Sequence, residues 1–71
     1  MSLGMAKSGQ TVRVVRISAG RGLQSRLSAL GIMPGVELTV VAGSRRGPIV
    51  VAVKDSRVVL GRGMAQRIDV V

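Results

Sequence analysis

The chain has 71 residues and a net charge of +8, and it contains no Cys, His, Phe, Trp or Tyr. Without Cys and His, the common zinc sites, thiol nucleophiles and disulfide frameworks are excluded. Without aromatic side chains, the chain has no stacking platform for single-stranded nucleic acid and no aromatic groove for proline-rich peptides. The length allows one small domain, and the many Val residues among the 46% hydrophobic residues favour a β-rich core.

The N-terminus and the apolar runs bear on location and on the domain boundary. The longest purely apolar stretch, Ile49 to Val53, is far too short for a spanning helix, and no signal-peptide pattern is present. We therefore expect a cytoplasmic protein. Residues 1–8 are predicted to be a flexible N-terminus, with residues 1–4 as an appended segment before a natural start at Met5. Residues 9–71 are predicted to form a single domain.

The first strand is predicted over Thr11 to Ile17, where apolar and polar residues alternate. The alternation fails at Val15, which directly follows another valine. A β-bulge near Val15 would return Ile17 to the inner face and direct Arg13 and Arg16 outward. A bulge of this kind also helps a small sheet to curve toward closure.

A short helix is predicted around residues 23–31, because Leu23, Leu27 and Leu30 recur at helical spacing. We expect this leucine stripe to be buried in the core, since a helix this short depends on tertiary packing. Gly31 is expected to cap the helix in the left-handed conformation.

The residues after the helix predict a capping contact followed by a turn. Ile32 is expected to make the hydrophobic contact that accompanies the glycine cap. Pro34 followed by Gly35 predicts a type II turn, since Pro sets φ at the first central position and Gly allows a positive φ at the second.

The remaining sequence predicts four strands and a helical turn. The predicted elements are strands over 36–41, 48–54, 57–60 and 68–71 and one helical turn around Met64 and Ala65, with a basic loop over 42–47 and a tight turn at Asp55-Ser56. With the first strand, this makes a mainly β domain of about five strands. Because unpaired sheet edges promote aggregation with other chains, we predict a partly open barrel, with the helix plugging one end.

The order and spacing of these elements resemble the FeoA family over residues 9–71. The residues that carry the resemblance are Gly9-x-x-Val12, Leu27-x-x-Leu30-Gly31-Ile32-x-Pro34-Gly35, Gly47-Pro48-Ile49-Val50-Val51, Arg57-Val58-Val59-Leu60-Gly61 and Ala65-x-x-Ile68-x-Val70. The element from Leu27 to Gly35 is the most specific of these. Its fold-defining residues are Leu27, Leu30, Gly31, Ile32, Pro34 and Gly35.

The resemblance implies an SH3-like barrel with an inserted helix and a non-enzymatic, regulatory role in bacterial ferrous iron uptake. It further implies a partner, the cytoplasmic GTPase domain of a FeoB-type membrane transporter. FeoA-like domains also form the C-terminal parts of metal-dependent repressors. Because no helix-turn-helix precedes the barrel here, the stand-alone form is the better match.

The candidate partner contacts are basic or apolar residues. The basic candidates are Arg21, Arg26, Arg45 and Arg46, because a charge of +8 exceeds what solubility requires and implies an anionic partner. Val50 and Ala52 are expected to point away from the core and to form an apolar contact patch, the alternative being coverage by a neighbouring element. A further alternative makes Arg21 or Arg46 an arginine finger for a GTPase partner.

A metal site, a cofactor site and catalytic residues are not expected. The only oxygen ligands of the acidic type are Glu37, Asp55 and Asp69, which fall on separate elements. The positive charge of the chain would also oppose a bound cation. No paired carboxylates or phosphate-binding loop are present, so we expect a binding protein that is not an enzyme.

Other partners and one other function stay open at this point. The partners are a second copy of the chain and an anionic membrane surface. The other function is a basic β-barrel module that binds nucleic acid, as in ribosomal and translation-associated proteins, because a basic domain gains salt-dependent phosphate affinity. The sequence leaves undecided which face meets the partner and whether the effect on a transporter is activation, inhibition or assembly.

Overall fold

The computed structural model describes residues 1–43 and 46–71. The elements in chain order are a 3-10 helix (Leu3–Met5), β1 (Thr11–Ile17), α1 (Arg21–Ala29), β2 (Glu37–Gly43), β3 (Ile49–Val53), β4 (Ser56–Leu60), α2 (Arg62–Ala65) and β5 (Ile68–Val70). The strands form one antiparallel sheet in the order β4-β3-β2-β1-β5. The end strands β4 and β5 do not pair with each other, so the mainly β, partly open architecture that the sequence predicts is confirmed.

Strand β1 has the predicted bounds and the predicted bulge. Its register with β5 shifts between Val14 and Arg16. The shift lets Val14 and Ile17 both face the core, whereas Arg16 and Val15 are exposed. The bulge therefore resolves the broken alternation of the sequence, and it leaves Val15 with 51% of its surface exposed.

Helix α1 ends in a glycine cap, as predicted. The Gly31 N–H donates to the Ser28 carbonyl at 2.9 Å, and the Ile32 N–H donates to the Leu27 carbonyl at 2.8 Å. This pair of bonds is the Schellman motif, and its left-handed residue is Gly31 with φ of +89°. Leu27 and Ile32 are both buried, so they provide the hydrophobic contact of the motif.

The prediction of a buried leucine stripe is wrong at Leu30. This residue is 48% exposed, whereas Leu27 is buried and Leu23 packs partly against the core. The physical reason is the early end of the helix at Ala29, which makes Leu30 the cap residue. The chain reverses at Gly31, and Ile32 is the residue that enters the core next.

The turn after the helix also follows the prediction. The Val36 N–H donates to the Met33 carbonyl at 3.2 Å across Pro34 and Gly35, and φ of Gly35 is +94°. A proline followed by a residue of positive φ is the type II arrangement. The Gly35 N–H then donates to the carbonyl of Val14 at 2.8 Å, which ties the turn to β1.

Strand β2 runs further than predicted, because Ala42 and Gly43 are strand residues and not part of the loop. They pair with Val50 and Ile49 across β3. The register shifts after Val40, so that one extra residue, Val41, lies in a second bulge. Pairing along β3 thus prevails over the local turn preference of the Ala-Gly sequence.

The turn between β3 and β4 lies one residue earlier than predicted. Ser56 pairs with Val53, so the two turn residues are Lys54 and Asp55. Lys54 adopts φ of +54°. A positive φ at the first central position is typical of a type II′ turn, which favours Gly at that position.

We expect Lys54→Gly to raise the free energy of unfolding by about 0.5–1 kcal/mol, because an L-residue with a left-handed φ is strained by more than a glycine costs in chain entropy. Urea denaturation measures the change. The matched control is Asp55→Gly, since Asp55 has no positive φ and should only lose stability. Equal changes for the two variants would contradict the assignment of the turn.

The N-terminus belongs to the fold, in contrast to the predicted flexible segment over residues 1–8. Leu3 is fully buried in the core. Ser2 forms a β-bridge with Asp69, and the Val70 N–H donates to the Met1 carbonyl at 2.7 Å. The first residues thus extend the sheet beyond β5. The sequence failed to show this, because a single leucine carries no periodicity.

The core consists of aliphatic side chains alone. Its buried members come from every helix and strand of the described chain, and they are Leu3, Val12, Val14, Ile17, Leu27, Ile32, Leu38, Val40, Ile49, Val51, Val53, Val58, Leu60, Ala65, Ile68 and Val70. Within the ranges 1–43 and 46–71, no polar or charged residue is buried, and no buried side-chain N or O atom lacks a partner.

Candidate protein-interaction surface

The three carboxylates are spread over the surface. Glu37 lies 3.6 Å from the Arg13 guanidinium, and Asp69 lies 2.9 Å from that of Arg16. Asp55 is in the β3–β4 turn. Among the described residues, no group of three potential metal ligands gathers at one place. Two of the three carboxylates thus face guanidinium groups, which would repel a metal cation.

Three of the predicted basic contacts are free to meet a partner. Arg21, Arg26 and Arg46 are exposed, and none of them forms a hydrogen bond or ion pair with a described residue. The fourth, Arg45, lies outside the described residues. Unpaired guanidinium groups on a chain of charge +8 attract an acidic surface, and they also offer bidentate hydrogen bonds to carboxylates.

Arg21 occupies a position that is unfavourable for a cation. It is the first residue of α1, after Gly20, which provides no side-chain cap. The first turn of a helix carries a partial positive charge, so a cation there costs about 0.3–1 kcal/mol. Arg26, in contrast, lies in the last turn, where a positive charge is favourable. The arginine at position 21 therefore opposes the local electrostatic preference of the helix.

The outer face of the sheet carries an apolar strip, formed by Val41, Ala42, Val50, Ala52 and Val59. Val50 lies between Ala42 on β2 and Val59 on β4. Both Val50 and Ala52 are half-buried, while Val59 is 65% exposed. The prediction that Val50 and Ala52 point away from the core is confirmed, because Ile49, Val51 and Val53 are the buried residues of β3.

Val59 is a surface residue that the sequence interpretation missed. In the sequence it is one of two adjacent valines in an apolar run, and nothing there marks it as exposed. The distinguishing signal is the hairpin register, since Val59 pairs with Val50 and both alternate with buried neighbours. Because the sequence interpretation placed the β3–β4 turn one residue too late, it did not predict this pairing.

The predicted contacts fall into two separate groups. Arg21 and Arg26 are on α1, which inserts Leu27 into the core on the inner side of the sheet. Val50 and Ala52 face outward from the opposite side of β3. Arg57, which the sequence interpretation left among the general surface charges, pairs with Ala52 and so lies on the apolar strip's side. Val50, Ala52 and Arg57 thus lie on the same face of the sheet, whereas Arg21 and Arg26 lie on the helix at the other face.

A groove of about 510 Å³ separates the N-terminal segment from the sheet. Its lining residues are Gly4, Met5, Ala6, Lys7, Ser8, Val40, Gly43, Ile49 and Arg62. The Arg62 guanidinium donates to the carbonyls of Gly4 at 2.6 Å and of Gly47 at 3.1 Å. This arginine therefore links the N-terminal segment to the residues just before β3. The charged side chains that line the groove, Lys7 and Arg62, are both basic.

The helices in the described parts of the chain are short. The longest, α1, has nine residues, and none of them has the length and apolar character that crossing a bilayer requires.

Comparison with known proteins places the chain in one family. The FeoA domain profile matches residues 1–71. A protein of Methanocaldococcus jannaschii named "Putative Fe(2+) transport protein A" is 40% identical over 68 residues, which are 96% of this chain and 82% of that protein. A crystal structure of an iron uptake regulatory protein, FeoA, superposes with a TM-score of 0.93 at 30% identity, covering 99% of this chain and 93% of the other.

A third comparison names the architecture. The zinc complex of FeoA from Stenotrophomonas maltophilia, described as a prokaryotic SH3 domain protein, superposes with a TM-score of 0.86. It is 26% identical, and the match covers 100% of this chain and 89% of that one. The SH3-like fold implied by the sequence resemblance is confirmed. With the family profile matched over residues 1–71 and relatives of the same fold, the chain belongs to the FeoA family, which is associated with ferrous iron transport.

Proposed function

We propose that this chain is a non-enzymatic, cytoplasmic accessory protein of ferrous iron uptake that regulates a FeoB-type transporter by contact with its GTPase domain. Membership of the FeoA family supports the link to iron transport. The observation that carries the contact is the outer face of the sheet, where Arg57, without an ion pair to a described residue, lies beside an apolar strip that ends at the exposed Val59.

The combination of charge and apolar area favours a protein partner. Nucleic acid would meet the positive charge, but the apolar strip from Val41 to Val59 would then gain nothing from binding. Protein interfaces, in contrast, bury an apolar centre within a polar rim, and Arg is more frequent in them than on the rest of the surface. An acidic face on the GTPase domain would satisfy both features and would be approached faster at low salt.

The direct test is binding of the chain to the soluble GTPase domain of a FeoB-type transporter, measured by calorimetry. Arg46→Glu is expected to weaken binding by about tenfold, because charge reversal at the rim replaces attraction by repulsion. Arg67→Glu changes the net charge equally but lies just before β5, the strand at the other end of the sheet from β4, and it serves as the control. Absence of binding by the unmodified chain would refute the proposed function.

Arg21→Glu is expected to separate stability from binding. The free energy of unfolding should rise by about 0.3–1 kcal/mol, because a carboxylate suits the first turn of α1. Affinity for the GTPase domain should fall if Arg21 belongs to the contact surface. Urea denaturation and calorimetry measure the two effects. A variant that is more stable and binds as well as before would remove Arg21 from the contact surface.

GTP hydrolysis by the partner distinguishes docking from catalysis in trans. An arginine finger accelerates hydrolysis by several orders of magnitude, so Arg21→Ala or Arg46→Ala would abolish any stimulation if either residue acted in this way. Docking alone predicts that both variants alter the half-saturating concentration and preserve the maximal rate.

A further inference from the structure

Strand β4 has a free edge. It is the end strand of the sheet and pairs only with β3. The two-residue turn makes Val53 and Ser56 a hydrogen-bonded pair, and bonded and non-bonded pairs then alternate along an antiparallel ladder. Arg57 and Val59 are therefore non-bonded positions, and their main-chain N–H and C=O groups point away from β3. Neither residue has another hydrogen-bond partner among the described residues.

The side chains at these two positions give the edge its chemistry. Arg57 and Val59 are two residues apart, so they lie on the same outer face of β4, and both are exposed. Val59 continues the apolar strip through Val50, with which it pairs. Arg57 forms no ion pair with a described residue. The edge thus offers main-chain bonds, an apolar site and a cation in a fixed order.

We propose that the β4 edge binds an extended acidic segment of a partner protein as a sixth, antiparallel strand. In this arrangement an apolar residue of the segment lies beside Val59, and an acidic residue two positions later lies beside Arg57. Main-chain bonds provide affinity in strand addition, and alternate side chains provide selectivity. The inference deepens the proposed function, because it rests on a partner protein and defines the segment recognised.

Charge decides between an acidic segment and a second copy of the chain. Two copies would each bring a charge of +8 to the contact. In the turn that leads into β4, the charges of Lys54 and Asp55 offset each other, so that Arg57 keeps this edge positive. Pairing of two such edges would be opposed by like-charge repulsion, whereas an acidic segment complements the same edge.

Amide exchange of the ¹⁵N-labelled chain tests the free edge. In the free protein, the amides of Arg57 and Val59 should exchange with solvent at least about tenfold faster than those of Val58 and Leu60, which bond to β3. Added peptide, acetyl-Thr-Val-Thr-Glu-Thr-amide, should shift and protect the first pair. The matched peptide with Lys in place of Glu should bind about five- to tenfold more weakly, because it places like charges opposite each other.

Two variants separate the main-chain contribution from the side-chain one. Val59→Pro deletes an N–H that β3 does not use, so the hairpin should persist while peptide binding is lost. Val59→Thr retains the N–H and a branched side chain, and it should still bind. The spectrum of each variant establishes that it is folded. Arg57→Glu should reverse the preference and favour the Lys peptide.

The outcomes distinguish this inference from the proposed function. If the GTPase domain binds unmodified protein, Val59→Pro and Arg57→Glu equally, the inference is wrong and the proposed function stands. If the peptide binds but the GTPase domain does not, the proposed function fails and the edge remains a binding site.

Two other results would overturn the inference by itself. Protection of the Arg57 and Val59 amides that grows with protein concentration, without peptide, would assign the edge to a second copy of the chain. If a peptide with Ser in place of Val bound equally well, the apolar site beside Val59 would contribute nothing to binding. That result would also overturn the proposal.

Discussion

Replacing Leu3 with alanine is expected to lower the free energy of unfolding by about 2–4 kcal/mol, because a fully buried leucine is removed and a cavity remains. A domain of this size has a total stability of only about 4–10 kcal/mol. The variant should therefore unfold at a much lower urea concentration. A milder variant, Leu3→Val, should lose about 1 kcal/mol and keep the transition measurable if Leu3→Ala is largely unfolded.

The control for Leu3 is Met5, which lies two residues away and is 72% exposed. Met5→Ala should change the free energy of unfolding by less than about 0.5 kcal/mol, as is usual for an exposed position. If Leu3→Ala and Met5→Ala gave equally small effects, the N-terminal segment would not be part of the folded core in solution.

The second large effect is expected at Gly31. Gly31→Ala should destabilise the fold by about 2–3 kcal/mol, because alanine is strained at a φ of +89° and its Cβ would lie 3.3 Å from Cγ1 of Val53. The strain falls on the residue that ends α1 and directs Ile32 into the core. Urea denaturation, with the helical signal followed by circular dichroism, measures the loss.

Gly35 provides a matched control for Gly31. Its φ of +94° is nearly the same, but a Cβ there would meet nothing within 4 Å. Gly35→Ala should therefore cost only the backbone strain, about 1–2 kcal/mol. The difference between the two variants measures the contact with Val53. A larger loss at Gly35 than at Gly31 would contradict this account.

Local signals in the sequence predicted much of the fold. The alternation in β1 and its failure at Val15 indicated both the strand and its bulge, because a strand must keep one face on the core. The helix cap at Gly31 and the turn at Pro34-Gly35 followed from the conformations that only these residues adopt easily. Each of these features depends on residues close together in the chain.

Features that depend on distant partners were not predicted. Leu3 is buried because β5, near the far end of the chain, bridges to Ser2. The turn at Lys54 is a residue earlier than the sequence suggests, since cross-strand pairing fixes the register of the hairpin. The exposure of Leu30 was missed for a different, local reason: the cap at Gly31 was predicted, but the helical spacing of the leucines was given more weight than the chain reversal at that cap.

The candidate surface was predictable only in part. The outward direction of Val50 and Ala52 followed from alternation, but the exposure of Val59 and its place beside Arg57 depend on which strand lies at the sheet's end. The sequence does not contain the strand order directly. It therefore indicated the residue types of the surface without indicating which of them are neighbours.

The pairing of the two chain ends has a consequence for biosynthesis. The Met1 amino group donates to the Val70 carbonyl at 3.1 Å, and β1 lies between β2 and the last strand, β5. One side of β1 therefore has no partner until β5 has left the ribosome. Contacts between residues so far apart slow folding, because the loop must close before they form. We expect this domain to complete its fold only after residues 68–70 have left the ribosome, with its aliphatic core open to chaperones until then.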